Sequence, residues 1–159
     1  WTIEVNVLMK SKTPESMEFL KSELLTDTPY RANKILSLIS ELTPGSRGFE
    51  SAGSVELAPV VVAAMDRADL VGEKAPSDLA NFRVKDQAAI VFALMKGHAK
   101  ADERGKVDGR YPEIDPAFFD ENEPDISKRD AQIDALKKWY ADNKAKLVWN
   151  AASHRLEIE

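Results

Sequence analysis

The chain has 159 residues, 43% hydrophobic and 31% charged, which suits one globular domain with a sizeable buried core. It has no cysteine, which excludes disulfides and thiolate metal sites, and its two histidines, His98 and His154, are far apart. The formal net charge is −5, and no apolar run approaches the ~20 residues of a membrane-spanning helix.

Residues 2–9 alternate. Ile3, Val5, Val7 and Met9 stand against Thr2, Glu4, Asn6 and Leu8, a period of two that is compatible with a strand. The cut end of a preceding helix fits the same residues. Thr13-Pro14 then opens a helix, with Thr13 as acceptor for a free N–H, Pro14 at the first position and Glu15 complementing the dipole. Met17, Leu20 and Leu24 form its stripe. Thr28-Pro29 repeats the signal, and Ala32, Ile35, Leu36, Ile39 and Leu42 follow at helical spacing until Pro44-Gly45. A Gly- and Ser-rich loop covers 45–54. The next helix is predicted over 55–71, with Leu57, Val61, Ala64, Met65 and Ala68 inward and Pro59 tolerated in its first turn. Gly72 to Pro76 reads as a turn.

Residues 82–97, FRVKDQAAIVFALMKG, are the centre of the pattern. Val84, Ala88, Val91 and Met95 lie on one helical face, and Ala89, Ile90, Phe92 and Leu94 widen it. A helix so apolar must be covered on several sides by other helices. Lys85, Asp86 and Gln87 form a polar first turn, and Gly97 fits the left-handed residue past the helix end.

Residues 98–126 differ in kind. Four basic residues face nine acidic ones, Asp102, Glu103, Asp108, Glu113, Asp115, Asp120, Glu121, Glu123 and Asp125, so this segment carries the whole imbalance. The rest balances at 18 of each sign, which disfavours nucleic-acid binding. Asp115-Pro116 predicts a short helix over 116–121, with Phe118, Phe119 and Tyr111 as anchors. Ser127 to Asp130 has the spacing of a capping box, with Ile126 as its staple. The last helix is predicted from Lys128 to about Lys146, with Ile133, Leu136 and Tyr140 inward and Ala135 and Trp139 on the flank. Leu147-Val148-Trp149 and Arg155 to Ile158 predict a terminal β-hairpin or two extended arms.

Two helices share a pattern. One opens Pro29-Tyr30-Arg31-Ala32 with Ile35-Leu36 beyond; the other reads Val84-Lys85, Asp86-Gln87, Ala88-Ala89, then Phe92 and Gly97. This resembles the inner-helix pattern of HEAT-type α-helical repeats. The tail, Trp139-Tyr140-Ala141-Asp142-Asn143-Lys144, then Leu147-Val148-Trp149 and Arg155, resembles the end of small bacterial HEAT-like domains. The resemblance spans residues 13–158. It implies an all-α domain of antiparallel helix pairs stacked as HEAT-like repeats and closed by a short C-terminal β-hairpin. An irregular bundle is the alternative. It brings no shared catalytic residues and implies a stacked-helix surface for protein partners.

The partner-binding residues expected are the acids Asp108, Glu113, Asp115, Asp120, Glu121 and Glu123, facing a basic partner surface. The plain alternative is a solvated connection. Calcium on Asp102, Asp108, Glu113 or Asp115 is a further option, though EF-hand spacing is absent. No phosphate loop, nucleophile elbow or zinc-protease pattern occurs, and no cofactor is expected. The reading is a non-catalytic protein-interaction or scaffold domain. A metal- or ligand-responsive accessory domain and a small hydrolase stand behind it. Trp139, Tyr140 and Trp149 are read as packing between the last helix and the terminal strands rather than as a ligand platform. The chain starts at Trp1 rather than Met, which suggests a removed export signal or upstream region. An exported bacterial protein, periplasmic or surface, is favoured over a cytoplasmic one.

Overall fold

The computed structural model describes residues 2–41, 55–72, 80–97, 119–120, 122–150 and 155–159. Among them are six helices and one hairpin: α1 (Thr2–Ser11), α2 (Pro14–Thr26), α3 (Pro29–Glu41), α4 (Leu57–Ala64), α5 (Val84–Met95), α6 (Ile126–Asn143), β1 (Leu147–Asn150) and β2 (Arg155–Ile158). The expected all-helical architecture with a terminal hairpin is what is found. None of these helices is long and apolar enough to cross a membrane.

α5 is the central rod. Val84, Ala88, Ala89, Val91 and Phe92 are wholly buried, and α3, α4, α6 and β2 all pack on it. Gly97 closes it in the left-handed region at φ 77°, donating its N–H to the Leu94 carbonyl at 2.9 Å. α2 packs against α3 and α4, and α5 against α3 and α4, so four helices form a ring in the order α2, α3, α5, α4. Sequential neighbours therefore make two hairpins lying side by side, with α2 on α4 and α3 on α5. α1 lies on α2 and touches α3.

The stretch left open between a strand and a helix end is helix α1. A period of two, wound at 100° per residue, sends alternate apolar pairs to opposite sides. Val5 and Met9 are buried, while Ile3 and Val7 are 78% and 61% exposed. The turn into α2 places Lys12 at φ 53°. Thr13 caps α2 as predicted, its Oγ1 accepting from Ser16 N at 3.2 Å, with Pro14 at the first position.

α4 is shorter than the predicted 55–71. It ends at Ala64, and Ala68, expected inward, is exposed. The following residues are needed as partners for the head of α5. Lys85 N donates to Arg67 O at 2.9 Å, Val84 N to Asp69 O at 3.0 Å, and Val71 N to Phe82 O at 3.0 Å. The first two bonds satisfy first-turn N–H groups that no intrahelical carbonyl can reach. The Arg67 guanidinium also donates to Leu24 O at 2.7 Å, at the far end of α2.

The hairpin pairs Leu147 with Ile158 and Trp149 with Leu156, which puts Leu147, Trp149, Leu156 and Ile158 on one face. Leu147 and Leu156 on that face are buried. Val148, Asn150, Arg155 and Glu157 form the other face, tied by Asn150 Nδ2 to Glu157 Oε2 at 2.8 Å and Arg155 Nε to Glu157 Oε1 at 2.8 Å.

Candidate functional site: the root of the acidic segment

Of the acids expected to meet a partner, Asp108, Glu113, Asp115 and Glu121 lie outside the described residues, as do Asp102, Tyr111, Phe118, His98 and His154. Most of the short helix expected over 116–121 lies outside too. Its described residues, Phe119 and Asp120, are not helical. Phe119 is buried, so this anchor is where the sequence put it.

Asp120 and Glu123 are described, and both fold the lead-in to α6. Asp120 N donates to Gln132 Oε1 at 2.9 Å, and its Oδ1 accepts from Asn122 N at 2.9 Å. Glu123 Oε1 accepts from Asp125 N at 3.0 Å, while its Oε2 lies 3.6 Å from Lys128 Nζ. The helix then starts two residues earlier than a Ser127 cap requires. Asp125 is the cap, its Oδ1 accepting from Ser127 N at 2.9 Å and Ser127 Oγ at 2.7 Å. Those bonds from Ser127 hold the Asp125 carboxyl below the ordinary carboxylate range. Ile126 is inside the helix and 42% exposed, so it forms no staple.

Asp130, expected as the capping-box acid, faces α5 instead. Its Oδ1 lies 2.9 Å from Arg83 Nη1 and 2.8 Å from Lys85 Nζ. Burial raises its carboxyl, and the two cations outweigh burial and hold it below its ordinary value.

Beneath this pair is a buried cluster that sequence reasoning missed. Asp86 Oδ2 accepts from Arg83 N at 2.8 Å, Arg83 Nε at 3.0 Å and Arg129 Nη1 at 2.7 Å. Its Oδ1 accepts from Arg83 Nη2 at 2.8 Å. Arg129 Nη2 continues to Asn81 Oδ1 at 2.6 Å. Burial opposes the charge of Arg83, but Asp86 and Asp130 outweigh it and raise the guanidinium above its ordinary value. A carboxylate holding four donors is suited to fixing geometry. The signal was present: Arg129 falls on the same stripe as Ile133, Leu136 and Tyr140, where a charge must find a buried counter-ion.

Further along α6, Phe92 meets Trp139 edge-on at a 6.0 Å ring separation and Tyr140 at 5.8 Å. Lys96 Nζ sits 4.3 Å from the Trp139 ring centre. Burial pushes the Tyr140 phenol up. Trp139, Tyr140 and Trp149 are all partly buried against the core, which is the packing role the sequence suggested. Among the described residues, no three His, Cys, Asp or Glu side chains come together to hold a metal ion.

Comparison of the chain with protein-family profiles, with curated proteins and with solved structures finds no match.

Proposed function

We propose that this chain is a non-catalytic protein-interaction domain whose helices stack in the manner of HEAT-type repeats. The observation that carries the reading is the packing order. α2 on α4 and α3 on α5 is the arrangement two side-by-side helical hairpins make. A stack of that kind leaves long faces for partners, because each hairpin is stabilised by its neighbour alone. The acidic segment supplies the steering surface: Asp108, Glu113, Asp115, Asp120, Glu121 and Glu123 favour a partner with a basic patch.

The test starts with photo-crosslinking in an extract of the source organism, followed by titration of the purified partner. Changing the six acids to Asn and Gln should weaken that partner at least ~10-fold and flatten the salt dependence of its association rate. Equal affinity and equal salt dependence in both forms would remove the segment from the binding surface.

A further inference from the structure

We propose that α6 and the terminal hairpin open from the helix stack as one unit, and that the Arg129–Asp86 pair is the latch that closes it. Three observations carry this. First, the ring α2, α3, α5, α4 closes on itself without α6. Second, the buried Asp86 keeps a cation on its own side of the α5–α6 boundary, although the half-exposed Asp130 bridges that boundary to Arg83 and Lys85. When α6 leaves, Asp86 keeps Arg83 as counter-ion through its backbone N–H, Nε and Nη2. Arg129 departs together with Asp130, its neighbour of opposite sign. Neither side is left with a buried carboxylate lacking a cation, which is the state that makes breaking an ion pair so unfavourable. Third, the remaining ties are the ion pairs of Asp130 with Arg83 and Lys85, the Arg129–Asn81 bond, β2 on α5, and a small apolar seam. Ile133 and Leu136 are the buried apolar residues of α6, and Trp139 and Tyr140 meet α5 at Phe92 by their edges. Lys137, itself partly buried, reaches the exposed Asp66. The root of the acidic segment travels with the unit, since Asp120 hangs on Gln132 of α6.

Local opening of this kind is read by amide hydrogen exchange. In Arg129→Met, the amides of α6, β1 and β2 should exchange about 10- to 100-fold faster, as expected for loss of charge-assisted bonds, while those of α3 and α5 keep their wild-type rates. Asp86→Asn should accelerate both sets, because it strands Arg83 as well. The wild-type chain gives a second reading that needs no variant. In low guanidinium, α6 and hairpin amides should open together at a lower concentration than those of α3 and α5. Equal acceleration of all helices in Arg129→Met, or no acceleration in α6, overturns the proposal. So does one shared opening transition in the wild type.

Discussion

Arg129 Nη1 lies 2.7 Å from Asp86 Oδ2, and neither side chain is exposed to solvent. The pair joins residues 43 positions apart in sequence and fixes how α6 sits on α5. A buried pair of this kind contributes less to net stability than to geometry, but removing its shared carboxylate is severe. Asp86→Asn leaves two guanidiniums facing one neutral amide. It should lower unfolding free energy by about 3–5 kcal/mol in urea titrations followed by tryptophan fluorescence. A loss below ~1 kcal/mol would mean that water or relaxation already compensates the site.

Asp130 gives a pH prediction of definite sign. Lys85 and Arg83 hold its folded carboxyl below the ordinary value. Its contribution is therefore present above an unfolded pKa of about 3.9 and is lost as pH falls through the lower folded value. The side chain is 40% exposed, so the contribution at neutral pH is at most ~1 kcal/mol. Asp130→Asn should reduce stability at pH 7, and its difference from wild type should fade as pH falls below the ordinary carboxylate range. A constant difference from pH 7 to pH 2 would assign the effect to packing instead of charge.

Phe92 is wholly buried and receives the edges of Trp139 and Tyr140. Phe92→Ala removes a large ring from the seam between α5 and α6 and should destabilise by about 3–5 kcal/mol, with a visible change in tryptophan emission. A destabilisation near 1 kcal/mol would place Phe92 at a collapsible margin.

Two backbone positions should respond in opposite directions. Lys12 holds φ 53° with a side chain that disfavours it, and Gly97 holds φ 77° without one. Lys12→Gly should raise thermal stability by up to ~1 kcal/mol, the relief of left-handed strain less the entropy glycine adds to the unfolded chain. Gly97→Ala should lower it by about 1 kcal/mol. The same sign for both in calorimetry would contradict these turns.

Helix α1 can be separated from a strand by a face test. Val7→Ser should change stability by less than ~0.5 kcal/mol, whereas Val5→Ser should cost about 2 kcal/mol or more. A strand would place both side chains on one face and make the two losses alike.

The contrast between α1 and α5 shows what could be read from residue order. α5 was legible because its apolar residues fill nearly every position, so burial follows whatever the neighbours are. Thr13-Pro14 and Gly97 were legible because capping is a local affair of a few atoms. α1 was not, since a period of two fits a strand on one face or a helix on two, and only tertiary packing decides. The end of α4 was hidden for a different reason. Its continuation has sufficient helical propensity, yet the carbonyls of Arg67 and Asp69 are claimed by α5. The Ser127 cap failed by local competition, because Asp125 offers a better acceptor two residues earlier. Of the candidate site, Phe119 was foreseen; the Asp86 cluster joins two helices far apart in the chain, and spacing alone does not pair them.

Arg67 has a mechanical consequence. Its carbonyl accepts from the head of α5, and its guanidinium donates to the tail of α2. One residue thus rivets a helix that is negative at that end to one that is positive there. A displacement of the α2 tail is therefore transmitted to the α5 head through a single side chain, without any deformation of the core between them.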